Sequence, residues 1–152
     1  MPTKKSQIKV DHRIKNKPIS FGIVRIELVD KNISSDFEPK NNDNIKFKAS
    51  VDLSSDNDKS YLLVKISCSF LLDDESEILS FIVHNEYHIK DLKSYIVNKK
   101  FIDKGFIQYI ADLSFNHTRG IQATIINNTR LSKMYIPIIR LDKISEEPIE
   151  QA

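Results

Sequence analysis

HTRGIQATIINNTRLSKMYIPII, residues 117–139, joins the end of a helix to an aliphatic segment that cannot be helical. Its first half continues a stripe that begins upstream. Phe106, Ile110, Leu113, His117, Ile121 and Ile125 recur every three or four residues, the spacing that lines one side of an α-helix. Asp103 stands where an N-cap belongs, its carboxylate placed to accept from the free amides of the first turn. The stripe fails at Asn127-Asn128, and asparagine can take the left-handed conformation that glycine usually supplies at a helix end. Pro137 has no amide hydrogen and forbids a regular helix through Tyr135–Ile139. The spacing predicts one long amphipathic helix from Asp103 to about Asn128, then a break and an apolar crossover segment.

Upstream, the period changes to two. Ile45, Phe47, Ala49, Val51 and Leu53 alternate with Lys46, Lys48, Ser50 and Asp52, so one face of a strand is wet and one is buried. The polar run Ser54–Ser60 turns the chain. Leu62, Val64, Ile66, Cys68, Phe70 and Leu72 then share one phase of a second strand, which completes a hairpin. After the turn Asp73–Glu77, Ile78–Ile89 makes another strand with Leu79, Phe81, Val83 and Tyr87. The first strand is Ile19–Val29, where Ile19, Phe21 and Ile23 hold one phase and Val24, Ile26 and Leu28 the other. A slip of one residue is what a β-bulge produces, and Gly22 lies beside it. With only three glycines in the chain, turns rest on Asn, Asp and Ser, which bond their own backbone.

Strands first and helix last predict an α+β fold: a four-stranded antiparallel meander with one greasy face, one long helix covering it, and the crossover segment. Asp91–Lys100 reads as a connection with a turn of helix through Leu92, Tyr95 and Ile96. Phe37, in the polar connection Asp30–Asn44, reads as a staple onto the core. Residues 1–18 form a basic lead-in, 19–141 a single domain, and 142–152 an acidic, largely unstructured tail with at most one helical turn around Lys143–Glu146.

A chain of 152 residues is enough for one core. Its 23 Lys and Arg nearly balance 21 Asp and Glu, and a net charge of +2 spread along the sequence offers no patch to a polyanion. Nucleic acid is therefore not an expected partner, and Lys4, Lys5, Lys9, Arg13, Lys15 and Lys17 read as a solvated tail. The single Cys68 forms no disulfide framework and fits a reducing, cytoplasmic setting. No apolar run approaches the roughly 18 residues that span a bilayer, and no apolar stretch follows the basic N-terminus, so neither membrane insertion nor secretion is expected.

No catalytic constellation emerges. Phosphate-binding loops, the GxSxG elbow, HExxH and CxxC are missing from the sequence. His84, Glu86 and His88 share a strand face, but residues four apart in a strand lie roughly 13 Å from each other, too far for one ion. His117 falls on the apolar side of the helix, where a hydrogen-bonded histidine is commoner than a general base. Cys68 lies on a buried phase and behaves as a small hydrophobe. The sequons at Asn32, Asn116 and Asn127 have no secretory context. We expect no enzyme, metal or cofactor.

What remains is an apolar surplus. Tyr61, Leu63, Ile78 and Ile82 fall on the sheet phase opposite the main core, and Leu131, Met134, Tyr135, Ile136, Ile138 and Ile139 lie in and after the break. One helix cannot cover them all. Contiguous exposed apolar area marks an interface or a binding groove, so a homo-oligomer and a groove for unfolded polypeptide are both expected.

The succession HTRG, a small-residue helix, NTRLSK and YIPII resembles the C-terminal signature of SecB-like export chaperones, with Arg119 in the helix, Asn128-Thr129 at the break and Pro137 in the crossover. His117 is structural in that resemblance. It implies a four-stranded antiparallel sheet, a long helix and a crossover, assembled as dimers of dimers with the helices between two sheets. It further implies a holdase that needs neither ATP nor cofactor, keeps unfolded or nascent polypeptides in apolar grooves, and delivers them to the secretion ATPase. Carried over by position, the groove segment is Leu131–Ile139. This chain departs from the family in three ways. It is slightly basic, it has Ser80 where members carry a docking Glu near the start of the fourth strand, and its second helix is almost absent. A SecB-like chaperone kept for one client, such as an antitoxin, would retain the groove and lose the docking face. A non-catalytic oligomeric adaptor would use the same surplus only for fixed contacts.

Overall fold

In chain order the elements are β1 (Phe21–Ile33), β2 (Lys46–Asp56), β3 (Tyr61–Leu71), β4 (Glu77–Ile89), the short strands β5 (Ile96–Val97) and β6 (Lys100–Phe101), helix α1 (Lys104–Ile126), and β7 (Ile149–Gln151). This is a computed structural model, and it describes residues 18–34, 37, 38, 40, 44–134, 136, 137 and 144–151. Nearly all of the basic lead-in, together with Tyr135, Ile138 and Ile139, lies outside the described residues.

Five strands form one sheet in the order β1-β4-β3-β2-β7. The hairpin read between the second and third strands is present, pairing Lys46↔Leu71 through Asp56↔Tyr61 without a register shift. Only β2, β3 and β4 follow the expected meander. β1 passes over to pair antiparallel with β4, from Phe21↔Ile89 to Ile33↔Leu79. Leu79, Phe81, Val83, Tyr87 and Ile89 of β4 are all fully buried, and an edge position would leave them open on one side. The connection from β1 to β2 therefore spans three strand spacings, about 14 Å. The phase slip at Ile23/Val24 is realised as a register shift between Ile23 and Arg25, and a second shift falls between Leu28 and Asp30.

The tail also departs from expectation. Ile144–Glu146 is a 3₁₀ turn, and β7 runs parallel to β2 with Leu53↔Ile149, Ser54↔Glu150 and Ser55↔Gln151. Ile144 and Ile149 are each 3% exposed. An acidic composition concealed two isoleucines, each worth about 1.5–3 kcal/mol when buried. Between β4 and α1, a 3₁₀ turn at Leu92–Tyr95 leads into the β5–β6 hairpin, whose turn residues Asn98 and Lys99 both have positive φ (52° and 62°). Tyr95 stacks on Phe101, and Phe101 on Phe106, which seats the hairpin beside the start of the helix.

α1 begins as read: the Asp103 carboxylate accepts from the Phe106 amide at 3.0 Å. Its end is also as read, with Asn128 left-handed at φ 61°. The buried face, however, is turned by about one residue from the expected stripe. It consists of Ile107, Ile110, Ala111, Ser114, Phe115, Thr118, Gln122 and Ile126, while Phe106, Leu113, Ile121 and Ile125 flank it half-buried. The reason is the polar trio within it. Ser114 and Thr118 are small enough to admit the sheet closely, and each hydroxyl donates back to a helix carbonyl, Ile110 O at 2.7 Å and Ser114 O at 2.8 Å. Phe37 packs on the core edge, as its role as a staple requires.

Ile66 sits fully buried at the centre of β3. Ile66→Ala should lower unfolding stability by about 3 kcal/mol through lost transfer energy and an unfilled cavity, whereas Ile23→Ala on the exposed edge should cost under about 0.5 kcal/mol. Urea denaturation of the two variants measures both, and equal losses would contradict this placement of the core.

Candidate functional site

β1 is an outer strand of the sheet, and it carries apolar side chains that nothing among the described residues covers. Ile23 is 51% exposed, Val24 46%, Ile26 38% and Val29 42%, and Tyr109 of α1 is 53% exposed. Two causes produce this strip. First, Ile23 and Ile26 face the helix side, opposite the buried Tyr87 and Asn85 of β4, but α1 lies chiefly over β3 and β4 and meets β1 at Phe21. Second, each register shift inserts a valine, Val24 and Val29, with no partner on β4. Phe21 closes one end of the strip with edge-on contacts to Tyr87, Phe106 and Tyr109 at 6.2, 5.5 and 6.0 Å. Along the opposite face of β1, Arg25 bridges Glu27 and Glu86 at 3.1 and 3.2 Å.

The residues read from sequence as a groove are dispersed. Ile78 lies at a register shift of β4 and is buried with Leu79, so it is core and not a lining of the opposite face. Leu131, Met134 and Ile136 are also core residues: the turn after α1 folds them inward, and the Gln122 amide, donating to the Met134 carbonyl, pins that turn to the helix. Tyr61, Leu63 and Ile82 do lie on the outer face and are half-buried. Tyr61 and Leu63 line a shallow hollow of about 280 Å³ with Asp56, Lys59 and Glu86. Tyr135 and Ile138 fall outside the described residues. Of the signature positions, Arg119 is half-buried on α1, Asn128 forms the helix end, and Pro137 is exposed beside buried Ile136.

The β1 strip was missed for an identifiable reason. Reading the strand as two phases gave Ile23, Val24 and Ile26 a face each and none of them to the surface, and Val29 marked only the strand's end. The usable signal is Val24 and Val29, which interrupt the alternation of Arg25, Glu27, Asp30 and Asn32 with aliphatic residues in a strand that turns out to have one neighbour. Tyr109, one position off the expected stripe, carried no signal.

A polar seam runs between α1 and β4. His117 Nδ1 donates to Asn85 Oδ1 at 3.0 Å, Tyr87 and Ser114 share a 2.7 Å hydrogen bond, and Asn85 Nδ2, fully buried, has no partner among the described residues. Burial pushes the Cys68 thiol up to about 12, so it is no nucleophile near neutrality. Glu86 is held by Arg25, and His88 packs edge-on against Tyr61. Among the described residues no cluster of His, Cys, Asp and Glu could hold a metal ion, and no helix is long and apolar enough to cross a membrane.

No family model matches the chain, and no curated protein sequence matches it. Nine chains among the solved structures match its fold. One is the Mycobacterium tuberculosis Rv1957 SecB-like chaperone, in complex with a ChAD peptide from the Rv1956 HigA1 antitoxin, at a TM-score of 0.55 and 13% identity over 86% of this chain and 96% of that chain. At such identity the likeness is one of fold: this chain has a SecB-like α+β fold.

Burial pulls the His117 imidazole below its ordinary value. As pH falls below about 6.5 the unfolded chain takes a proton that the folded chain refuses, so this contribution to stability is complete above that pH and is lost down to the lowered value. The urea midpoint should drop between about pH 7.5 and about pH 5, and His117→Gln should drop less over the same range. Identical slopes would mean that His117 titrates in the folded protein as it does in the unfolded one.

Proposed function

We propose that this protein is an ATP-independent chaperone that holds non-native polypeptides against the strip formed by Ile23, Val24, Ile26, Val29 and Tyr109. The observation that carries the reading is the exposure of four aliphatic side chains between Ile23 and Val29 of one edge strand, with Tyr109 of α1 exposed beside Phe21 near its start, since isolated surface hydrophobes are ordinary but such a concentration is not. The SecB-like fold supports it, as does the neighbour's bound antitoxin peptide. Holding of this kind is mass action: the strip binds the unfolded state, lowers its free concentration, and yields it to a better competitor. Tyr61, Leu63 and Ile82 on the outer face form a second, shallower contact. The protein works as a homo-oligomer, a dimer or tetramer, in the cytoplasm.

A dedicated client, of which an antitoxin is one example, is favoured over delivery to the secretion ATPase. Ser80 lies in a neutral row with Asn32 and Ser69 on the outer face, so the carboxylate expected of an ATPase-docking surface is missing at that position.

The test uses stoichiometric protein without nucleotide, added to a chemically denatured, slow-folding test protein, with turbidity and native mass recorded together. Wild type should suppress aggregation, and Ile26→Asp and Tyr109→Asp should suppress it at least about fivefold less well. Variants that lose suppression and keep their native mass assign the strip to client holding, while loss of both assigns it to assembly. A wild type that forms a stable oligomer and suppresses nothing would rule out general holding and leave a chaperone kept for one client or a fixed adaptor.

A further inference from the structure

We infer that the outer edge of β2 is a strand-addition site for an extended segment of the polypeptide the protein holds, and that β7 is its intramolecular occupant over part of its length. The inference rests on the chaperone reading and adds to it a second, main-chain mode of capture.

The occupant is visible in β7. Three residues pair with β2 in parallel, and the one in register with Leu53, Ile149, is 3% exposed while Glu150 and Gln151 remain in solvent. The edge thus takes an extended segment with an aliphatic side chain on its inward phase. β7 cannot lengthen toward the start of β2, because Pro148 precedes it without an amide to donate and the chain has just left the 3₁₀ turn Ile144–Glu146. Among the described residues, nothing pairs with the outer edge of β2 from Lys46 to Asp52. On the inward phase of that open stretch Phe47 and Val51 are half-buried and Ala49 is exposed, so side chains from an added strand would complete the cover over them.

Two further observations favour this edge over the one at β1. β2 pairs with β3 without a register shift along its whole length, so its free amides and carbonyls form a straight ladder, whereas β1 is broken by shifts at Val24 and Val29. Lysines often guard an open edge against strand addition. Here Lys48 is engaged by Glu75 at 3.0 Å, and Lys46 lies 3.9 Å from both Asp73 and Glu75, so their charge is largely countered from the β3–β4 turn. A parallel contact of three residues is also a weak hold on main-chain grounds, the parallel ladder being the less stable one. What keeps β7 in place is chiefly Ile149, together with its amide donating to the Lys99 carbonyl at 2.7 Å.

The test is amide hydrogen exchange on the full chain, alone and with a stoichiometric, chemically denatured test protein as the probe. Edge amides within 46–52 should slow by about tenfold or more when the probe is bound. If the probe is held and those amides exchange as before, the strand-addition site is wrong and the chaperone reading stands. If the probe is not held at all, general holding falls and the strand-addition site falls with it. Slowing that appears with rising protein concentration and no probe would place a second copy of the chain on the edge, which also overturns the inference. Ile149→Ser loosens β7 and should tighten probe binding by about threefold or more, a change of the size expected when an internal competitor is weakened. Should that variant fail to fold, exchange in the wild type decides alone.

Discussion

The contact on which the rest of the fold depends is the close seating of α1 on β4 through a polar seam. Ser114 Oγ donates its one hydrogen to the Ile110 carbonyl, so the 2.7 Å bond to Tyr87 must be donated by the tyrosine hydroxyl. That arrangement satisfies both hydroxyls with no water, in a place where an unpaired one would cost about 1–3 kcal/mol. Thr118 and Gln122 repeat the pattern along the helix, the second by tying the chain after the break to the helix itself. The seam also sets where the helix is not. Seated chiefly over β3 and β4, α1 leaves Ile23 and Ile26 on the inner face of β1 exposed, while Phe21, Leu28 and Ile33 on that face still reach the core.

Much of this fold was legible because it rests on local chemistry. The strict alternation from Ile45 to Leu72 can serve only a half-buried hairpin, and Asp103 and Asn128 act as helix ends through their own side chain and backbone. What failed was non-local. Choosing Phe106, His117 and Ile121 as the buried stripe assumed that burial goes to the most apolar residues. The sheet instead selects Ser114 and Thr118 for their size, and their hydroxyls are silenced by helix carbonyls. Nothing in the order of strands says that β1 neighbours β4. Burying a strand as apolar as β4 on both sides requires it, but that requirement appears only once all four strands are placed.

The candidate site was less legible than the fold, for the same reason. Leu131, Met134 and Ile136 look like surface surplus because they follow a helix break and a polar turn, yet the turn brings them back into the core. Ile149 looked like a solvated tail residue and is the inward residue of an edge strand. In the other direction, Val24 looked like part of an apolar strand face and is set apart by a register shift. Periodicity reports which face a side chain takes. It does not report whether another element arrives to cover that face.

The edge at β1 and the open part of the edge at β2 are unlike in a way that bears on how the proposed chaperone would work without ATP. Release by competition requires that no single contact be deep, because nothing in the cycle supplies energy to break it. On the proposed reading, a side chain already partly sheltered, such as Ile26 at 38% exposed, gains less from a client than a fully exposed one, so the strip would bind broadly and gently. The buried Leu131, Met134 and Ile136 could take part only if the break opened, which would also cost the Gln122 hydrogen bond that holds it shut. On that reading the bulged apolar edge at β1 and the straight, open stretch of β2 would divide the task between side-chain and main-chain contacts. Neither contact would need the core to open.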